Sequence, residues 1–195
     1  MITNQKNKEN QARAIILGYA AAHSTVALIL ANTIAGDAPI LFVLTSAMII
    51  QIGDLCGKRI DWESAPTIAA NLLGAVAGGY LAAKLITWIP FMGNMLNASI
   101  TFGITQVIGW AAFAMFNEGM SQEAAIRYGR TENKILSLAE MNSKMNAMSS
   151  EDRQRYNELI SKIQNTNLSD MERQNIASEI AKIIEKYPEF SMAIR

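Results

Sequence analysis

The residues that come nearest to a chemical motif are Gly53-Asp54-Leu55-Cys56-Gly57-Lys58-Arg59. A phosphate-binding loop needs four residues between its glycines and a Ser or Thr after its Lys, so that backbone N–H groups surround the phosphates and the hydroxyl reaches the metal. Here three residues separate the glycines, Arg59 follows Lys58, and no strand pattern precedes. The segment reads instead as a helix end with Gly57 as its cap. His23 is the single histidine, which excludes a histidine triad or a multi-histidine metal site within one chain. It reads as a packed side chain. Cys56 is the single cysteine, so no intramolecular disulfide forms. The apolar middle of the chain holds no paired carboxylates. No catalytic, metal or cofactor site is expected, and the chain does not read as an enzyme.

Other polar residues in the middle of the chain read as structural. Asp37 sits in a tight turn and is expected to cap the helix after it. Lys84 lies near a helix end, where its long stem lets the ammonium reach an interface. Gln51, Asn71 and Gln106 are candidates for hydrogen bonds between helices.

The elements that would hold these residues follow from the charge distribution. The 195 residues are 50% apolar and 17% charged with zero net charge, which gives no electrostatic case for nucleic acid. Residues 1–13 form a polar N-terminal segment with four charges, Lys6, Lys8, Glu9 and Arg13. Residues 14–117 carry seven charges: Asp37, Asp54, Lys58, Arg59, Asp61, Glu63 and Lys84. Residues 118–195 carry the other 23. The N-terminus turns from polar to apolar as a signal peptide does, but its apolar run exceeds the usual 7–15 residues and reads as a retained helix.

Four apolar segments fill 14–117: Ala14–Gly36, Ala38–Gly53, Ala65–Ile89 and Phe91–Asn117. About 20 helical residues cross a bilayer; the second segment falls short. Gly36, Asp37 and Pro39 mark one tight turn, and Pro90 and Gly93 mark another. The fold expected is all-α: two apolar, membrane-associated helical hairpins around a charged loop, Asp54–Glu63, followed by a small amphipathic helical tail. Gln51-Ile52-Gly53 and Gln106-Val107-Ile108-Gly109 echo each other, a faint sign of a repeat. Ala70, Gly74, Gly78 and Ala82 recur every four residues, a face on which helices approach closely or copies associate. Gly18 and Ala22 make a weaker version.

In the tail, Ile135, Leu138, Met141, Met145 and Met148 are spaced as one helical stripe within Ser121–Met148. Ser149–Asp152 reads as the start of a second helix, broken by Asn165-Thr166-Asn167. Ser169-Asp170-Met171-Glu172 is a capping box that opens a third, with Ile176, Ile180, Ile183, Ile184 and Tyr187 on one face. The tail reads as a small subdomain or a coiled-coil-like arm. Its Met-rich stripe reads as packing before recognition.

Helices apolar on every side are either buried in a large bundle or in lipid. A four-helix bundle made of these segments alone would expose a large apolar patch, so lipid contact is expected. Lys and Arg flank the hairpins at the N-terminus, the loop 54–63 and the tail, which puts these on the cytoplasmic side.

Residues from about 15 to 120 resemble the YcjF-like bacterial family of unknown function, a hydrophobic helical domain often found C-terminal to a small GTPase domain. The resemblance rests on Gly36-Asp37, Met48 through Gln51-Ile52, Asp54 with Gly57, Leu72 through Gly78, Ile89-Pro90 with Gly93, and the small-residue helix ending near Ala111-Ala112. It implies a membrane-associated helical domain, in a bacterial inner membrane, linked to GTPase-controlled processes. The first turn, Thr33–Asp37, lacks the prolines usual in that family, and residues from about 120 onward match nothing in it. The function expected is a non-enzymatic membrane-anchored protein that forms homo-oligomers and presents 118–195 to a GTPase or other protein partner. The alternatives are a soluble bundle that forms pores on meeting a membrane and, with less polar lining than the task needs, a channel or transporter.

Overall fold

The computed structural model describes residues 2–30, 38–86, 94–131, 135–163, 165 and 167–187, with side chains left out of the description at 2–4, 28–30, 38–40, 77–86, 94–97, 138 and 170. The described residues form eight helices and no strand: α1 (Ile2–Leu30), α2 (Ala38–Leu55), α3 (Ala65–Ile86), α4 (Asn94–Glu118), α5 (Gln122–Gly129), α6 (Leu138–Met145), α7 (Ser150–Ile163) and α8 (Asp170–Glu185). The first four match the four apolar segments. The turn residues Gly36, Asp37, Pro90 and Gly93 lie outside the described residues, whereas Pro39 is the second residue of α2.

The polar segment 1–13 belongs to α1, which is helical from Ile2. Ala12 and Arg13 are already buried. The Arg13 guanidinium lies over the Trp110 ring, 4.9 Å from its centre, and Trp110 meets Phe113 edge-on with ring centres 5.8 Å apart. Burial pushes the Arg13 pKa down while Glu9 pulls it up; a guanidinium stays charged regardless, so the aromatic face takes part of the place of water.

The charged loop begins with a helix cap of the kind its glycine predicts. Gly57 has φ +72°, Lys58 N–H donates to the Gly53 carbonyl (2.8 Å), and Gly57 N–H donates to Asp54 (3.0 Å). This pair of bonds closes the end of α2 in the Schellman pattern. At the other end of the loop Asp61 accepts from Ser64 N–H (2.8 Å) and Ser64 hydroxyl. These bonds hold the Asp61 carboxyl below its ordinary pKa.

The tail departs from the sequence expectation in one respect. Ser121–Met148 contains two helices, α5 and α6, and Ile135 lies between them. At the end of α5, Gly129 lies so close to α4 that a Cβ there would sit 2.5 Å from the Val107 carbonyl oxygen, and the last turn tightens, with Arg130 N–H reaching Arg127 and Thr131 N–H reaching Tyr128. Ser137 and Glu140 then form a reciprocal capping box that starts α6. Met141 and Met148 are buried and Ile135 partly so: the stripe tracks burial across a break in the backbone. Ser149 caps α7 through Asp152 N–H (3.1 Å), and the Ser169–Glu172 box opens α8, both where their sequence signals lie.

One apolar core runs through the molecule and does not stop at 117/118. Ile16, Tyr19, Met48 and Trp110 share it with Leu136, Met148, Leu159 and Ile180. α1 packs chiefly on α4 and α8, then on α2 and α7; α5 packs on α4 and α3.

Candidate functional site

From Ala14 to Ala27 α1 carries no charge, and protein covers nearly all of that stretch. Residues 12–27 are buried except Ile15 and Thr25, which are partly so. Two backbones come close at Gly18, where a Cβ would lie 2.9 Å from the Ala181 Cα of α8. On α2, residues 44–50 are continuously buried, and on α4 residues 105–106 and 108–114. The helices that do much of this covering carry their charges outward. Lys182 and Glu185 are exposed on α8, as are Arg155, Glu158 and Lys162 on α7. Arg155 pairs with Glu179 (2.7 Å) and Lys186 with Asp152 (2.7 Å), and the Tyr187 hydroxyl donates to Asp152 (2.8 Å). Asp152 is held below its usual pKa by these bonds, Lys186 first. The tail therefore supplies the solvated exterior that the apolar segments lack.

The same collar closes over α3 and α4. Gln106, fully buried, forms a two-way bond with the backbone of Leu136: its amide donates to the Leu136 carbonyl (2.8 Å) and its side-chain carbonyl accepts from Leu136 N–H (2.8 Å). Arg130 donates to the Val76 carbonyl (2.8 Å) and Gln122 to the Asn71 carbonyl (3.4 Å), both on α3.

Beyond this collar the surface changes. Thr67, Ala70, Asn71 and Ala75 are exposed along α3, and among the described residues nothing outside α3 lies within 4 Å of where a Gly74 Cβ would be. The small-residue face thus points away from the other described helices over Ala70 and Gly74. Gly78 and Ala82 continue it on α3, with surroundings outside the description. On α4, Ile100 is 44% exposed and Gly103 has open space beside it. Leu41, Phe42 and Val43 at the start of α2 are half-buried, unlike the seven residues after them. Ala27, Ala98 and Phe102 remain buried beside these residues, and among the described residues Trp62 and Met171 are the other large apolar side chains exposed to solvent.

Of the three polar candidates, Gln106 links helices, though through the backbone before α6. Asn71 is exposed and contributes its carbonyl; Gln51 is half-buried on α2. The echo between Gln51-Ile52-Gly53 and Gln106–Gly109 has a packing counterpart: a Cβ at Gly53 or Gly109 would lie 2.6 Å from an isoleucine side chain, Ile60 and Ile16 respectively. His23 is fully packed. Its Nδ1 is 2.7 Å from the Tyr19 carbonyl, and its Nε2 is 2.9 Å from the Leu41 carbonyl and 3.1 Å from the Thr45 hydroxyl. It ties α1 to α2. Thr45, Ser46 and Thr105 bond back to their own helices, which lets hydroxyls sit in an apolar interior. Sequence spacing held no hint of the His23–Thr45 pairing, because α1 and α2 had no known register. Tyr19 carries a buried hydroxyl with no hydrogen-bond partner among the described residues.

Nothing here assembles reactive groups. Among the described residues no three His, Cys, Asp or Glu side chains gather as metal ligands, and the depressions along α7 and α8 are open to solvent and rimmed by charged residues such as Glu158, Glu179 and Lys182. Ala98–Glu118 is the one described stretch long and apolar enough to cross a membrane, and 61% of its apolar window is buried inside the protein. The described residues are all-helical or connecting turns, and amphipathic helices clasp a bundle whose middle is apolar. Comparison with family models, with curated proteins and with solved structures finds no match.

Proposed function

We propose that this chain is a non-enzymatic membrane-associated protein that engages lipid through the uncharged ends of its helical bundle and keeps its collar of tail helices in the aqueous phase. The observation that carries this reading is the polarity gradient along the bundle. Residues 77–104 hold one charge, Lys84, and Ile100 on α4 is exposed, while charged side chains crowd the collar. Apolar surface exposed in this way engages a membrane or a partner. The outward small-residue face of α3 is the surface on which copies of the chain would meet. A link to a GTPase rests on the family resemblance alone, with α5–α8 as the docking surface.

The test is flotation with vesicles of mixed zwitterionic and anionic lipids, followed by alkaline carbonate. The protein should rise with the vesicles and stay through carbonate; recovery wholly in the soluble fraction overturns the proposal.

One observation favours the pore-former as a second reading. A stored bundle needs solvating outer helices, and α8, with a smaller share from α7, packs on α1 with its charges facing outward. That reading requires release of dye trapped in vesicles, whereas a stable anchor floats without leakage.

A further inference from the structure

α4 has the composition of a membrane span, and what touches it keeps it in the protein. From Ala98 to Asn117 it carries no charge. Ala98–Glu118 has the length and hydropathy to cross a bilayer, which takes about 20 helical residues. The Thr105 hydroxyl donates to the Thr101 carbonyl of its own helix (2.8 Å), so it needs no partner from outside. Yet residues 108–114 are buried without a break. At about 3.6 residues per turn, that stretch includes every direction around the helix, so none of its sides is open to lipid.

Two polar contacts tie this part of α4 to other elements. The Arg13 guanidinium of α1 lies over the Trp110 ring, 4.9 Å from its centre, close to the middle of the span-length stretch. Arg13 is itself buried. One turn earlier, the fully buried Gln106 amide donates to the Leu136 carbonyl (2.8 Å) and the Phe102 carbonyl (3.2 Å), and its side-chain carbonyl accepts from Leu136 N–H (2.8 Å). Moving α4 into lipid with the first contact intact would carry a guanidinium into hydrocarbon, which is costly. Moving it without them gives up the cation–π contact and strips the Leu136 backbone of both partners. Both side chains therefore favour only the state in which α4 is enclosed, and a two-state element shifts by such differences. We infer that Arg13 and Gln106 form a latch: with both in place α4 is a core helix, and without them Ala98–Glu118 is free to enter the bilayer as a span. This rests on the membrane association proposed above and concerns one helix within it.

The experiment uses the full chain with Trp62→Phe and Trp88→Phe, which leaves Trp110 as the only tryptophan. It is added to vesicles of phosphatidylcholine and phosphatidylglycerol, with or without bromine deep on the acyl chains, where bromine quenches a tryptophan that meets lipid. Flotation is read first: if neither this latched chain nor its Arg13→Met/Gln106→Leu variant floats, the membrane reading fails, and this inference with it. Where they float, the latched chain should emit equally from both kinds of vesicle, and the double variant should lose most of its emission in the brominated ones. Met keeps an apolar stem against the ring while removing the charge. Quenching of the latched chain shows lipid at Trp110 despite the latch, and overturns the inference while membrane association stands. Equal emission from the double variant shows that other contacts hold α4, and also overturns it. Gly18→Val loosens the bundle with Arg13 and Gln106 kept, and should stay unquenched. Quenching there equal to that of the double variant would assign the effect to lost stability and overturn the latch.

Discussion

Gly18 on α1 and Gly74 on α3 belong to faces of similar composition, small residues spaced four apart, and they meet opposite surroundings. At Gly18 the backbone of α8 lies where a side chain would begin; at Gly74 no other described part of the chain comes near. The spacing of small residues states that a close approach is sterically possible. It does not state what approaches. For α1 the partner is a helix encoded some 160 residues later, and for α3 no described residue takes that place.

Substitutions that fill the two faces separate these cases. Gly18→Val should drive α8 off α1 and cost about 3 kcal/mol, the upper range of overpacking, read as a lower urea midpoint with early proteolysis of the tail. An unchanged midpoint would mean that α8 does not seat on Gly18. Gln106→Ala should come next. It removes both partners of the buried Leu136 backbone, a loss of about 2 kcal/mol, with α6 exchanging its amide hydrogens faster. Gly74→Ala should go the other way, adding up to about 1 kcal/mol through helix propensity, since the added methyl meets nothing. Destabilisation by Gly74→Ala would instead reveal a neighbour. Tyr19→Phe removes a buried hydroxyl that lacks a partner and should be neutral or stabilising by up to about 1 kcal/mol; a clear loss would reveal a hidden bond.

The smallest expected effect belongs to the collar. Asp152, Glu140 and Glu172 all have lowered pKa values: Asp152 through Lys186 and Tyr187, Glu140 through Ser137, and Glu172 through Ser169. A carboxyl whose folded pKa is lowered stabilises the fold above its unfolded value, near 4, and loses that contribution as pH falls through the folded value. Melting temperature should therefore decline below about pH 4, and Asp152→Asn should flatten that decline. A melting curve indifferent to acid would contradict the cap and ion-pair geometry.

The two glycines also mark the limit of what was legible in the sequence. The four apolar helices, the Gly57 cap, and the starts of α7 and α8 at Ser149 and Ser169 were all readable, because each depends on residues within a few positions of one another. The seating of Gly129 on α4 at the end of α5 was hidden because it joins parts of the chain about 20 residues apart with no side chain to mark it. The covering of α1 was hidden for the same reason. Ala14–Gly36 is uncharged whether lipid or α8 surrounds it, and composition alone does not distinguish the two. Gln106 was identified as a polar link, but its partner, the Leu136 backbone, carries no side-chain signature at all.

The contact of Gly18 with Ala181 has a consequence in time. α8 is made some 160 residues after α1. At about 5–20 residues per second, the face of α1 that α8 covers waits roughly 10–30 s for its partner. Until then α1 is shielded chiefly by α2 and α4, and the strip centred on Gly18 and Ala22 is open apolar surface on the growing chain.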